Sequence, residues 1–126
     1  ATEGFDEALY RANKFAELGA DITFLEAPKN IEQMRTYCES VPGPKMANMV
    51  EQGETPVLSA TELGKIGYKV VIHPLTLLMA GVQAMEKTLK QFKDGTYSED
   101  SFDFSHLRDV VGFPDYYAAE KKYAAE

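Results

Sequence analysis

The feature that most constrains the fold is an alternation of helical and strand patterns along the chain. Apolar residues recur at every third or fourth position at 5–18 and again at 75–93, a spacing typical of amphipathic helices. Three short runs rich in apolar residues predict strands, at 21–25, 45–50 and 68–73. With helices between them, the order αβαβαβα predicts parallel strands joined by helical crossovers.

Local start and stop signals support this order of elements. Asn30 is predicted to open the second helix, and Gln33, three residues later, to close a capping box with it. Ser59 and Glu62 form the same pattern at the start of a short third helix, which Gly67 ends. Because the predicted helices begin and end at these residues, the apolar runs between them lie outside the helices and are predicted to form strands.

The last part of the chain differs in composition from the part before it. The segment 96–105 is acidic and polar, which predicts a loop, and two more helices are predicted at about 106–111 and 115–125. We therefore divide the chain into βα units at 1–95 and an acidic loop with a C-terminal helical tail at 96–126.

Three parallel strands are too few to make a closed fold. A parallel sheet needs both faces covered, and three strands cannot close into a barrel. A (β/α)₈ barrel takes about 250 residues, whereas this chain has 126 residues. The pattern therefore predicts about half of a barrel with additional helices. A small open sheet of the flavodoxin type is the alternative, although it usually has about five strands.

Composition excludes several classes of protein. The net charge of −7, without a cluster of Lys and Arg, argues against a protein that binds nucleic acid. No apolar run reaches the roughly 20 residues that span a bilayer, so no membrane partner is expected. Cys38 is the only cysteine, which excludes an internal disulfide and a cysteine-rich metal site. This cysteine usage favours a reducing compartment such as the cytoplasm, with a plastid as the alternative.

Polar residues stand where each predicted strand ends. Glu26 follows the first strand, Asn48 lies near the end of the second, and His73 ends the third. In parallel α/β folds the functional groups gather at the carboxyl ends of the strands. A carboxylate, an amide and an imidazole at neighbouring strand ends could hold a small anionic substrate or one that chelates a metal.

Simpler structural interpretations apply to the same residues. Glu26 could be a solvated loop residue, and His73 could serve only to end its strand. Asn48 lies in an otherwise apolar strand, where a buried amide must find hydrogen-bond partners. The glycine spacing of dinucleotide and phosphate-binding loops, a Ser-His-Asp order and a paired-His metal motif are all missing from the sequence. The pattern thus predicts the place of a site and leaves its reaction open.

Several distinctive motifs follow one another along the chain. They are EGFDEA at 3–8, FLEAP at 24–28, ANMVEQGETP at 47–56, LSATEL at 58–63 and HPLT at 73–76. In their order and spacing these motifs resemble the isocitrate lyase/phosphoenolpyruvate mutase superfamily, and within it they are most similar to the 2-methylisocitrate lyase and carboxyphosphonoenolpyruvate mutase branch.

The resemblance implies a fold and a reaction. It implies that the chain is the C-terminal half of a (β/α)₈ TIM barrel whose last helix is exchanged with a neighbouring subunit, usually in a homotetramer. It also implies Mg²⁺ held by acidic residues, and a lyase or mutase reaction of a small 2-hydroxy or 2-oxo acid through an enolate-like species. In that chemistry the metal stabilises the oxygen on which negative charge develops.

The resemblance also assigns roles by position. Glu26 would lie beside the substrate and orient its polar groups, and Asn48 would donate hydrogen bonds to a substrate carboxylate. Val50 would line the same pocket, and Arg108, in the tail, would bind a carboxylate. The 2-methylisocitrate lyases tend to carry an Arg where this chain has Met79, which favours a substrate smaller or less charged than a tricarboxylate.

The family's metal-binding aspartates, its gating loop and an active-site Arg would all lie upstream of Ala1. The ligands of Mg²⁺ are therefore expected outside these residues, and the natural chain is expected to be about twice as long. The alternative hypothesis is a non-catalytic half-barrel that acts only as an interaction or structural module. The acidic segment 99–103 could then serve its contacts, although a solvated connector is the simpler interpretation.

Overall fold

The computed structural model describes residues 3–98 and 101–124 of the chain. By contacts the chain forms two compact units, of which the first ends at Ala84 and the second begins at Met85. The elements in order are α1 (Phe5–Glu17), β1 (Thr23–Phe24), α2 (Ile31–Ser40), β2 (Lys45–Asn48), α3 (Ala60–Ile66), β3 (Val70–Ile72), α4 (Thr76–Lys93), α5 (Phe104–Val110) and α6 (Phe113–Tyr123). The division of the chain at residue 95 stays a prediction.

The three strands form one parallel sheet in the order β1-β2-β3, which confirms the predicted crossovers. In this register Phe24 pairs with Met46, and Asn48 pairs with Ile72. Each strand is shorter than its apolar run, because the flanking residues of each run lie in the loops that lead to the helices.

One face of the sheet packs on the helices of the first unit. Side chains alternate between the two faces of a strand, and Leu25, Ala47 and Met49 point to this covered side, where they are buried. They belong to a core in which burial also raises the pKa of the Tyr37 hydroxyl. The buried apolar residues of this core are Ala12, Leu25, Met34, Tyr37, Val41, Ala47, Met49, Leu63 and Tyr68.

The opposite face of the sheet, called here the open face, carries the alternate residues of the strands. Its aromatic and aliphatic members keep much of their surface accessible: Phe24 is 42% exposed and Ile72 is 37% exposed. Apolar side chains on a parallel sheet are normally covered. The open face consists of Phe24, Met46, Asn48, Val50, Val70 and Ile72.

The two predicted capping boxes differ in outcome. At α3 the Ser59 side chain accepts from the Glu62 N–H, and the Glu62 carboxylate accepts from the Ser59 N–H, so this capping box is confirmed. At α2 the Asn30 side chain accepts from the Gln33 N–H at 2.8 Å. The second bond of this capping box, from the Asn30 N–H to the Gln33 side chain, was predicted wrongly. The Gln33 side chain accepts from the N–H of Lys29 instead, at 2.8 Å.

The helices of the second unit begin earlier than predicted. The Asp103 side chain caps α5 by accepting from the His106 N–H at 2.8 Å, so the helix begins at Phe104 and not near His106. Gly112 caps α6 with φ 84°, and Pro114 is accommodated in the first turn, where its missing N–H costs nothing. The predicted contact residues Glu99 and Asp100, and the predicted helix end at Ala125, lie outside the described residues.

In the described ranges, no helix combines the length and the apolar character needed to cross a membrane.

A buried hydrogen bond ties α2 to β1. The Tyr37 hydroxyl donates to Thr23 Oγ1 at 2.7 Å, and both residues are buried. Such a bond is worth about 1 kcal/mol in net terms, whereas leaving one buried partner unpaired costs about 1–3 kcal/mol.

We expect Thr23→Val to lower the free energy of unfolding by about 1–3 kcal/mol, because it leaves the Tyr37 hydroxyl without its acceptor. The double variant Thr23→Val/Tyr37→Phe should recover most of this loss, since neither partner then remains unpaired. Urea denaturation of the two variants and the parent measures both values. Equal losses in the single and the double variant would contradict the prediction.

Candidate functional site

The carboxyl ends of the strands bring three of the predicted site residues to one edge of the sheet. Asn48 is the last residue of β2, and Val50 follows it by two positions. Continuing the β1–β2 register two residues beyond its last pair, Phe24 and Met46, places Glu26 level with Asn48. Since neighbouring strands lie about 4.8 Å apart, the Glu26 and Asn48 backbones are neighbours at this edge. His73 directly follows β3 and is exposed.

Asn48 presents an unusual amide. It lies on the open face and is half-buried, and its Oδ1 atom is buried without a hydrogen-bond partner among the described residues. Most buried polar atoms are paired, so an unpaired one calls for an explanation. A ligand hydroxyl that donates to Oδ1 is such an explanation. The predicted donation to a substrate carboxylate would come from the Nδ2 group of the same amide, and it stays a prediction.

Val50 and the residues after it form a tight turn. The Gly53 N–H donates to the Val50 carbonyl at 3.1 Å, and Gln52, at the third position, has φ 62°. A positive φ at that position is typical of a type II turn, where glycine or asparagine is usual. Val50 itself is half-buried. The turn therefore fixes the apolar side chain of Val50 near Asn48.

Two strained backbone positions flank this edge. Ala27 (φ 50°) and Gln52 (φ 62°) are the non-glycine residues with positive φ in the described part of the chain. Each directly follows a glutamate at the end of a strand, Glu26 after β1 and Glu51 after β2. Left-handed conformations cost energy in residues with a Cβ atom and cluster at functional sites.

Glu51 is a member of this edge that the sequence analysis missed. The Thr76 hydroxyl donates to Glu51 Oε1 at 2.5 Å, and Glu51 Oε2 is buried without a partner among the described residues. The bonds from Thr76 and from its own N–H, with the nearby His73, hold the pKa of the Glu51 carboxyl below its usual value. Its place three residues after Asn48 is the signal that could have identified it.

The space on the covered side of this edge is too small for a substrate. A cavity of about 10 Å³ lies there, which is room for about one water molecule. An organic acid would therefore have to contact Asn48 from the open face. The cavity is lined by Leu25, Ala27, Pro28, Met34, Ala47, Asn48, Met49, Thr55 and Tyr68.

Arg108 lies in the second unit, on α5. Its guanidinium stacks on two rings of α6, 5.6 Å from the centroid of Phe113 and 5.4 Å from that of Tyr117. Such cation–π contacts orient a guanidinium without using its hydrogen-bond donors. The donors of Arg108 thus suit a carboxylate, and its role as a carboxylate-binding group stays a prediction.

The described residues do not by themselves fit a Mg²⁺ ion. Across 3–98 and 101–124, no three His, Cys, Asp or Glu side chains come together in a group that could hold a metal. Magnesium prefers an octahedral set of oxygen ligands, and Glu26 and Glu51 do not form such a group with a third acidic residue.

The comparisons with known proteins identify the family. Residues 1–93 match the model of the phosphoenolpyruvate phosphomutase family. The chain is 36% identical to a 2-methylisocitrate lyase of Aeropyrum pernix, over 90% of this chain and 38% of that protein. It is 30% identical to the chloroplastic carboxyvinyl-carboxyphosphonate phosphorylmutase of Arabidopsis thaliana, over 98% of this chain and 38% of that protein.

The fold leads to the same family. A crystal structure of 2,3-dimethylmalate lyase, a member of the PEP mutase/isocitrate lyase superfamily, superposes with a TM-score of 0.88 and 29% identity, over 96% of this chain and 44% of that one. The chain thus spans about two fifths of the length of these relatives, and its parallel sheet and helices are those of part of a (β/α)₈ barrel. The chain belongs to the phosphoenolpyruvate phosphomutase family, within the isocitrate lyase/phosphoenolpyruvate mutase superfamily.

Proposed function

We propose that this chain is part of a Mg²⁺-dependent lyase or mutase that acts on small 2-hydroxy or 2-oxo acids through an enolate-like intermediate. The observation that carries the proposal is the placement of Glu26, Asn48 and Val50 at one edge of the sheet. These are three of the four residues that the family resemblance assigns to the substrate, the fourth being Arg108. The relatives of this chain are named as lyases and as a mutase, in keeping with either reaction.

Each of the three residues has its own role in binding a hydroxy acid. The Asn48 amide donates to a substrate carboxylate, which is a charge-assisted hydrogen bond. The Glu26 carboxylate accepts from a substrate hydroxyl and orients it, and Val50 gives an apolar wall. Precise orientation of a reacting group supplies a large share of catalysis in such sites. The Mg²⁺ ion belongs to the proposal through the family, and we assign its ligands to residues outside this chain.

Met79 favours a substrate with few charges. It lies in the first turn of α4, where the 2-methylisocitrate lyases tend to carry an Arg, and its side chain is 42% exposed. A thioether cannot pair with a carboxylate as an Arg does. We therefore propose a monocarboxylate or dicarboxylate substrate, of the class named in the relative 2,3-dimethylmalate lyase. The enzyme is also proposed to be a homotetramer, with an exchanged last helix, in the cytoplasm.

A second candidate is a non-catalytic half-barrel that acts as an interaction or structural module. The exposed apolar residues of the open face, such as Phe24 and Ile72, favour it. Denaturing mass spectrometry of the purified protein separates the two candidates. An intact mass near 14.0 kDa would favour the module, and a mass about twice as large would favour the enzyme.

We expect the complete protein to cleave or isomerise one member of a panel of 2-hydroxy and 2-oxo acids only when Mg²⁺ is present. Glu26→Gln should lower kcat/KM about 100-fold, because the amide keeps the shape but loses the charge that orients the substrate. Coupled assays of 2-oxo acid release, with and without a chelator, measure both effects.

The control for that experiment is Glu32→Gln, the same chemical change at an exposed position of α2. It should leave kcat/KM within about twofold of the parent, since surface substitutions have small effects. Full turnover by the Glu26→Gln variant would refute the assigned role. Turnover that survives complete chelation would refute the dependence on Mg²⁺.

Asn48 should show a conflict between stability and activity. Asn48→Leu replaces the unpaired amide by an apolar group of similar shape, so we expect the protein to be as stable or more stable by about 1 kcal/mol, yet inactive. Asn48→Asp should destabilise it, because a half-buried charge replaces the amide. Thermal denaturation and the same assays test this. A loss of more than about 1 kcal/mol in Asn48→Leu would assign Asn48 a structural role.

A further inference from the structure

Glu51 is a half-buried carboxylate at the carboxyl edge of the sheet for which the proposed function has no use. It lies in the turn after β2, directly before the strained residue Gln52. Glu26 also directly precedes a residue of positive φ, Ala27, although it lies two residues after β1 and Glu51 lies three residues after β2. This shared neighbourhood raises the question of what Glu51 does.

Successive hydrogen bonds join β2 and its turn to β3 and the start of α4. The ladder ends at the pair Asn48 and Ile72, and the Met49 N–H then donates to the Ile72 carbonyl at 2.9 Å. Beyond it, the Thr76 hydroxyl donates to Glu51 Oε1 at 2.5 Å. Thr76 is the first residue of α4, so this last bond fixes the turn to the helix that follows β3.

The groups around Glu51 favour the charged form of its carboxyl group. Thr76, the N–H of Glu51 itself and the nearby His73 all lower the pKa of its carboxyl. One of its oxygens, Oε2, is nevertheless buried without a partner among the described residues, as is Asn48 Oδ1. The bond from Thr76 to Oε1 is thus the contact through which this carboxylate acts on the structure around it.

We propose that Glu51 is a positioning residue of the substrate site, which acts through Thr76. Its carboxylate ties the turn at 50–53 to the start of α4, and this tie fixes the Val50 side chain and the Asn48 amide in the orientation that meets the substrate. The inference rests on the proposed function, because it assumes that Asn48 and Val50 contact a substrate. It assigns Glu51 and Thr76 no contact with the reacting atoms.

The test breaks the hydrogen bond between Thr76 and Glu51 in the complete enzyme, once by changing the donor and once by changing the acceptor. Thr76→Val deletes the donor and Glu51→Ala deletes the acceptor, and each should lower kcat/KM by about 10-fold to 100-fold, mainly through a higher KM. The double variant should be no worse than Glu51→Ala alone, because both changes break one interaction. Thr76→Ser and Glu51→Gln keep a donor and an acceptor, and both should restore most of the activity.

A matched control is Thr61→Val, the same substitution at an exposed position in the first turn of α3. It should leave KM and kcat unchanged. If Thr76→Val keeps KM and kcat within twofold of the parent, or if the two losses add in full in the double variant, the proposal is overturned.

A second measurement does not depend on turnover. Hydrogen exchange, followed by mass spectrometry on the peptide that spans the turn at 50–53, should be faster in Thr76→Val than in the parent or in Thr61→Val. Unchanged exchange would refute the claim that the hydrogen bond from Thr76 to Glu51 holds the turn. If the parent enzyme turns over no acid of the panel, the proposed function fails, and the exchange data still decide whether Glu51 and Thr76 hold the turn.

Discussion

The pairing of β2 on both sides is the interaction on which the rest of the structure depends. Lys45 and Met46 pair with β1 on one side, and 46–48 pair with β3 on the other, and both pairings are parallel. Because side chains alternate along a strand, this one ladder sends Ala47 into the core and Asn48 to the open face. Because the strands are parallel, it also gathers the residues after each strand at one edge. Core and candidate site are thus set by the same hydrogen bonds.

In the first unit, the unpaired buried oxygens and the positive-φ residues other than glycine lie at that edge. The buried Oδ1 of Asn48 has no partner among the described residues, and Ala27 and Gln52 adopt conformations that suit glycine. The first unit also has an apolar core and a complete capping box at Ser59. Natural proteins depart from local consistency mainly at functional sites. The distribution of strain therefore supports the same place that the family relationship suggests.

Much of this arrangement could be predicted from the sequence. The alternating periodicities gave the parallel order of the strands, and the strand-end rule selected Glu26 and Asn48, which the sheet does bring to one edge. The errors concern helix caps, where a flexible side chain can form a hydrogen bond with more than one neighbouring backbone group. Gln33 bonds to the N–H of Lys29 instead of that of Asn30, and Asp103 starts α5 earlier than expected. A spacing of three residues allows both outcomes, and only the local backbone geometry selects one.

The sequence by itself determined the elements, their parallel order and the residues that follow each strand, because these depend on periodicity and on turn signals that act over a few residues. Only the tertiary structure decided that Glu51 meets Thr76, since the two are 25 positions apart and come together only through the crossover between β2 and β3. The unpaired oxygens of Asn48 and Glu51 were likewise decided only by the tertiary structure. Whether a buried polar atom has a partner depends on every element packed around it, and no local pattern encodes that.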